Sequence, residues 1–171
     1  MKSILRVGVA LGSNLGDRME HLRGAFARLK TMSAGPVLHS QVYETAPVDC
    51  AGETPSFLNA VCEIGWDQEA LVLLRRLREL EREHGRAVAY PQNAPRPLDL
   101  DLLYAGKLVI QSDELTLPHP RMTRRRFVLQ PLCDIRPDLA LPGQTASVRR
   151  MLAGLKDDQD VRAVGPMASD S

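Results

Sequence analysis

The chain has 171 residues, with 22 Lys and Arg against 21 Asp and Glu, a formal net charge of +1 and a hydrophobic fraction of 44%. This composition excludes wholesale disorder and argues against a surface committed entirely to nucleic acid or anionic membrane, and the length suits one domain. Cys50, Cys62 and Cys133 lie far apart without a CxxC pair, so neither a disulfide framework nor a zinc knuckle is indicated. No run of about 18 apolar residues occurs. The opening MKSILRVGVALGSN does not read as a secretory leader, and a reducing cytoplasm is the expected compartment.

In chain order, residues 4–11 are rich in strand formers and stop at Gly12-Ser13-Asn14. Asp17 and Glu20 stand in capping-box spacing ahead of a helix whose apolar stripe is Met19, Leu22, Phe26, Leu29 and Met32. Gly35-Pro36 ends that helix. Val37 to Glu44 and Phe57 to Gly65 read as strands, followed by a helix over 68–84 with Leu71, Leu74, Leu77 and Leu80 inward and Gly85 as its stop. Leu98 to Tyr104 is a fourth strand. The order β-α-β-β-α-β predicts an α+β protein with a ferredoxin-like core, an antiparallel sheet packed with helices, and a C-terminal extension. That extension comprises a short strand near 107–111 and helices over 122–130 and near 146–155. One domain over 1–165 and a loose tail over 166–171 complete the expectation.

The strongest chemical feature is Arg96-Pro97-Leu98-Asp99-Leu100-Asp101-Leu102. Strand alternation turns Asp99 and Asp101 to one face and the leucines to the other. Two carboxylates about 7 Å or less apart repel unless a cation lies between them, and hard oxygen pairs suit Mg²⁺. An exposed edge carrying two solvated acids fits the same pattern. A second feature is LPHPRMTRRRF, which places His119, Arg121, Arg124, Arg125 and Arg126 together without an acid. Arg86 and Arg96 bracket the loop before the acidic strand. Arginines converging on carboxylate-bound Mg²⁺ describe a nucleoside triphosphate site, while Arg121, Arg124 and Arg126 individually suit a solvated face. Phe57 and Asn59 share a strand face, an aromatic plane beside an amide that suits a flat heterocycle. The connections 45–56 and 86–97 are long enough to be binding loops. Gly12 to Gly16 is read as a strand-to-helix turn, since neither phosphate-loop pattern is present.

Taken together, ALGSNLGD, YETAPV, FLNAV, PRPLDLDLLY and LPHPRMTRRRFVLQPL closely resemble the 6-hydroxymethyl-7,8-dihydropterin pyrophosphokinases, from the first strand to about Pro142. The resemblance implies transfer of pyrophosphate from ATP to the pterin hydroxymethyl group, giving AMP. It implies two Mg²⁺ ions on Asp99 and Asp101, and a pterin between Phe57 and Phe127 read by Asn59 and the backbone at Thr45, Pro47 and Val48. Arg86, Arg96, His119 and Arg125 would contact ATP or stabilise charge in transfer, with Glu81 facing the nucleotide from the second helix. Members of the family carry a further arginine and a tryptophan where this chain has Val88 and Asn93-Ala94, and often a tyrosine at Pro120. A monomer that binds neither nucleic acid nor membrane is expected. Two other classes use parts of the same pattern: a Mg²⁺-dependent phosphatase or nuclease built on the acid pair, and an RNA-binding module on a ferredoxin-like sheet.

Overall fold

In the computed structural model, which describes residues 3–46, 55–85, 95–157 and 159–167, the first strand, β1 (Leu5–Ser13), lies inside the sheet. Val7, Val9 and Leu11 enter one apolar core, while Gly8, Ala10 and Gly12 face the other side. The strand continues through Gly12-Ser13 because pairing persists as far as Ser13 opposite Leu58. α1 (Arg18–Met32) begins at Asp17, whose Oδ1 accepts the Glu20 N–H at 3.2 Å. Its buried stripe is Leu22, Ala25, Phe26 and Leu29, with Met19 and Met32 at the margins.

The strand expected over 37–44 is two strands, β2 (Leu38–His39) and β3 (Gln41–Thr45), separated by Ser40. Ser40 Oγ accepts the Val61 N–H at 2.9 Å and donates to Gln41 O at 2.7 Å, so a side chain enters the ladder where main chain would continue. β4 (Phe57–Trp66) is central, and nine of its ten residues are buried. α2 (Ala70–Glu83) turns Leu73, Leu74, Leu77 and Leu80 inward, with Leu73 taking the innermost place expected for Leu71. Gly85 follows the helix at φ +95°, a left-handed conformation that glycine adopts without a Cβ clash.

β5 (Asp99–Ala105) forms an edge beside β1. Val9 pairs with Leu102 but Gly8 pairs with Tyr104, so Leu103 is an extra residue and the side-chain phase changes. Leu103 and Tyr104 therefore both serve the second core. β6 (Ile110–Gln111) pairs with β7 (Thr116–Leu117), an unanticipated partner, in a separate ribbon. The helix expected over 122–130 is a 3₁₀ turn, Met122–Arg124, an extended Arg125, and then α3 (Arg126–Ile135). α3 runs on past Pro131 because Val128, Leu129 and Leu132 all bury against the sheet. α4 (Val148–Ala153) is capped by Ser147 Oγ.

Of the loose tail expected over 166–171, residues 168–171 lie outside the described residues, while Pro166 ends a strand, β8 (Val161–Pro166), which pairs antiparallel with β3. Met167 is fully buried, and its carbonyl accepts from Arg23 Nε at 3.1 Å. β8 carries almost no buried face, which is why alternation does not announce it; it satisfies the outward backbone groups of β3 instead. The resulting antiparallel order is β5-β1-β4-β3-β8, with β2 also on β4. α1 and α2 cover one face, and α3 and α4 cover the other, giving an α+β fold with four helices among the described residues. None of these helices is long and apolar enough to cross a membrane.

Where α1 meets the end of α2, His21 and His84 approach with Nδ1 atoms 2.9 Å apart. One nitrogen donates and the other accepts, an arrangement that double protonation destroys. Burial, then the facing His21, holds His84 below the usual histidine value, with Arg28 acting in the same direction and Glu83 opposing. The unfolded chain therefore takes up a proton at His84 before the folded chain does, and stability is lost as pH falls below about 6.5. Urea midpoints at pH 7.5 and 5.5 should separate further for the wild type than for His84→Gln. Equal separations would remove the pair from the pH response.

Candidate active site

Strand register assembles one row of residues across the second face. Gly12 of β1 pairs with Asp99 of β5 on one side and Asn59 of β4 on the other, and Asn59 pairs in turn with Tyr43 of β3. The next row is Asp101, Ala10 and Val61. Asp99 and Asn59 thus stand two strands, about 10 Å, apart across a glycine floor. A Cβ on Gly12 would lie 3.0 Å from Asn59 Oδ1 and 3.8 Å from Phe57 Cδ1. Sequence reading treats Gly12 as part of a turn. The signal was available in the alternation, since Gly8, Ala10 and Gly12 form a run of small residues on one face.

The acids are held under electrostatic tension. Burial and the neighbouring Asp99 push Asp101 up to about 6, with Arg125 and Arg78 pulling the other way. Arg96 Nη1 lies 3.3 Å from Asp99 Oδ1. Its backbone is pinned by Asn14, whose Oδ1 accepts the Arg96 N–H at 2.7 Å and whose own N–H donates to Arg96 O at 3.1 Å. Asn14 is a positioning residue that the sequence reading missed. Its Nδ2 and Ser13 Oγ are buried without a hydrogen-bond partner among the described residues.

Glu81, expected to face the nucleotide from α2, meets the outer edge of β5. Only 2% exposed, its Oε2 accepts the Leu100 N–H at 3.0 Å, and its Oε1 accepts from Arg78 Nη1 at 2.9 Å. Arg78 Nη1 also lies 3.4 Å from Leu100 O. The two side chains occupy the strand edge between the acids, as a neighbouring strand would. Burial raises the Glu81 carboxyl above its usual range, with Asp99 adding and the Leu100 amide and Arg78 opposing.

The cations gather on the acid side. Arg125, in the extended residue before α3, has its Cζ 5.4 Å from the Phe127 ring centroid. Burial holds Arg125 below the usual arginine value, with Asp101 and Asp99 opposing and Arg121 and Arg96 adding to it. His119 is pushed down to about 4 by burial and by Arg125 and Arg121, so it is neutral near pH 7. Its Nδ1 accepts the Arg121 N–H at 3.1 Å, which leaves the proton on Nε2 as a donor. Arg126 pairs with Asp157 at 2.7 Å, while Arg121 and Arg124 are exposed. On the other side, Asn59 Nδ2 donates to Thr45 Oγ1 at 2.7 Å, Phe57 pairs in register with Thr45, and Phe127 lies in the first turn of α3. Arg86, Pro47, Val48, Val88 and Asn93 lie outside the described residues, as do the central parts of both long loops.

Residues 8–137 match the family model of 7,8-dihydro-6-hydroxymethylpterin-pyrophosphokinase. The chain belongs to this family. A 2-amino-4-hydroxy-6-hydroxymethyldihydropteridine pyrophosphokinase of Haemophilus influenzae is 38% identical over 135 residues, covering 78% of this chain and 83% of its own. A folic acid synthesis protein of Dictyostelium discoideum is 34% identical over 160 residues, 94% of this chain but 24% of its own. A mitochondrial folate synthesis bifunctional protein of Arabidopsis thaliana is 44% identical over 135 residues, 75% and 23% respectively. The chain spans about a quarter of the length of these two longer relatives. In fold, it is similar to a crystal structure of Plasmodium falciparum HPPK-DHPS with pterin and p-hydroxybenzoate. That similarity has a TM-score of 0.68 at 14% identity, over 88% of this chain and 42% of that one.

Proposed function

We propose that this chain transfers pyrophosphate from ATP to 6-hydroxymethyl-7,8-dihydropterin, giving AMP and the pterin diphosphate, an early step of folate synthesis. The observation that carries this reading is the row Asp99–Gly12–Asn59, which sets an acid pair and an amide edge on either side of a side-chain-free floor. Membership of the pyrophosphokinase family supports it. The strand order β5-β1-β4-β3 supports the ferredoxin-like reading of the core. An RNA-binding module would need an open sheet face, and α3 and α4 cover the face in question.

The pterin lies on the Gly12 floor between Phe57 and Phe127. Asn59, held by Thr45, reads its edge together with the backbone at Thr45, Pro47 and Val48. Asp99 and Asp101 fit hard divalent cations: burial and mutual repulsion raise Asp101, and a bound cation relieves both. Among the described residues no group of three or more His, Cys, Asp or Glu side chains gathers for a metal, so this pair leaves ligand positions for phosphate and water. Two Mg²⁺ ions, when bound, supply charge neutralisation across the triphosphate. Arg96, Arg125 and Arg86 donate to phosphate oxygens, and the Nε2–H of neutral His119 donates without adding charge. The hydroxymethyl oxygen attacks the β-phosphorus and gives up its proton to solvent, the bond from the β-phosphorus to the α-phosphate oxygen breaks, and AMP leaves. Positioning and charge stabilisation carry such a transfer, with no covalent enzyme intermediate required.

Incubation with MgATP and 6-hydroxymethyl-7,8-dihydropterin should give AMP and pterin diphosphate one for one. ADP or free phosphate instead would overturn the reading. Phe57→Ala should raise the KM for the pterin at least about tenfold while leaving that for ATP nearly unchanged, since a stacked aromatic contributes on the order of 1–3 kcal/mol. Equal changes in both constants would contradict stacking at Phe57.

A further inference from the structure

Arg18 opens α1 on the face of the sheet opposite the acid pair, yet its guanidinium reaches both strand ends that frame the pterin side. Arg18 Nη1 donates to Ser56 O at 2.8 Å and to Ser56 Oγ at 3.0 Å, and Nη2 lies 3.2 Å from Glu44 Oε2. Ser56 immediately precedes Phe57, and Glu44 immediately precedes Thr45. Phe57 and Thr45 are directly paired, as are Leu58 and Glu44. One planar fork therefore spans the last rungs of the β3–β4 ladder, where the proposed pterin contacts sit. Gln159 Nε2 supports the same strand end by donating to Ala46 O at 3.2 Å.

The strength of the contact is less informative than its geometry. Arg18 and Glu44 keep 29% and 41% of their side-chain surface exposed, and an ion pair so open to water contributes little to stability. A bidentate guanidinium does hold two chains at a set separation, which a single ammonium cannot reproduce. Thr45 in turn orients Asn59, so a shift of the strand ends passes to both the amide edge and the aromatic plane.

We propose that Arg18 is a positioning residue for the pterin half of the site, a clasp that keeps Thr45, Asn59 and Phe57 in one binding edge. This inference rests on the proposed pterin reading. The test is equilibrium titration of Arg18→Gln and Arg18→Lys with 6-hydroxymethyl-7,8-dihydropterin, in the presence of Mg²⁺ and an ATP analogue carrying a methylene between the α- and β-phosphorus. Steady-state constants for both substrates and thermal midpoints accompany it. Arg18→Gln should weaken pterin binding about tenfold through misplacement of the edge, with KM for ATP within about twofold and a nearly unchanged midpoint. Arg18→Lys should fall between, since its ammonium reaches one strand end at a time. Pterin affinity equal to wild type in Arg18→Gln, or equal loss for pterin and ATP, overturns the inference. A wild type that neither binds nor turns over the pterin overturns the proposed function itself, and the clasp with it.

Discussion

Asp101→Asn should lower the rate of AMP formation at least about a hundredfold at saturating Mg²⁺ without lowering the thermal midpoint. The loss has the size seen when one preorganised charge or donor is removed from a transferring group, about 2.7 kcal/mol of barrier. Retained stability is the more telling half. Burial of its carboxyl, and after it repulsion from Asp99, push Asp101 up to about 6, so ionising it at neutral pH works against the fold. An amide of the same shape relieves that repulsion, and the variant should be as stable as the wild type or more so. Asp99→Asn should also be inactive, though it forfeits the contact with Arg96. Near wild-type turnover in both variants would remove the acid pair from the chemistry. A parallel loss of midpoint and activity in Asp101→Asn would mark the residue as structural.

Glu63→Ala should cost about 3–5 kcal/mol of stability, the usual range for breaking a buried charge network. Glu63 is 1% exposed at the middle of β4. Its carboxylate accepts from Arg6 Nε at 2.8 Å, Arg136 Nη2 at 2.7 Å and Tyr104 OH at 2.6 Å. These contacts join β1, β5 and the end of α3 at one point. Burial alone would raise this carboxyl, but the hydrogen bonds from Arg136, Tyr104 and Arg6 outweigh it and hold it below its usual range. A lowered folded value means that the stabilisation is present above the unfolded glutamate value near 4.3 and is lost as pH falls through the folded one. The gap in urea midpoint between wild type and Glu63→Gln should therefore be wide at pH 7 and narrow towards pH 3. A gap that is absent, or constant with pH, would contradict the network. Gly8 belongs to the same arrangement. A Cβ there would lie 2.3 Å from Tyr104 Cε1, and the ring cannot withdraw while its hydroxyl is bonded to Glu63.

Much of the candidate site was legible because it is written in strand alternation. Asp99 and Asp101 on one face, and Phe57 and Asn59 on another strand's equivalent face, follow from a period of two that any β-strand obeys. The helical stripe of α1 and the glycine that ends α2 were legible for the same kind of reason, being properties of a few neighbouring residues. Alternation failed at Tyr104, where the bulge at Leu103 shifts the phase, and at Ser40, whose hydroxyl enters the ladder. Both events depend on a partner strand distant in sequence. The partner of Glu81 was not legible because helical spacing gives a direction around the axis and not the identity of the group met there; that group is a backbone N–H of β5.

Composition and local pattern were enough to establish an α+β chain, its first two helices and four principal strands, the acid pair and a resemblance specific enough to name a family. They could not establish that the acids and the amide share one row across Gly12, because that row is a register between three strands. Nor could they give Glu63 its cations, which come from residues 6 and 136, or reveal β8, whose stability comes from the backbone of β3 rather than from its own apolar face. A side chain's direction is local, set by the dihedrals of its own strand or helix. What it meets is decided by the packing of segments dozens of residues apart, and both charge pairing and burial depend on that meeting.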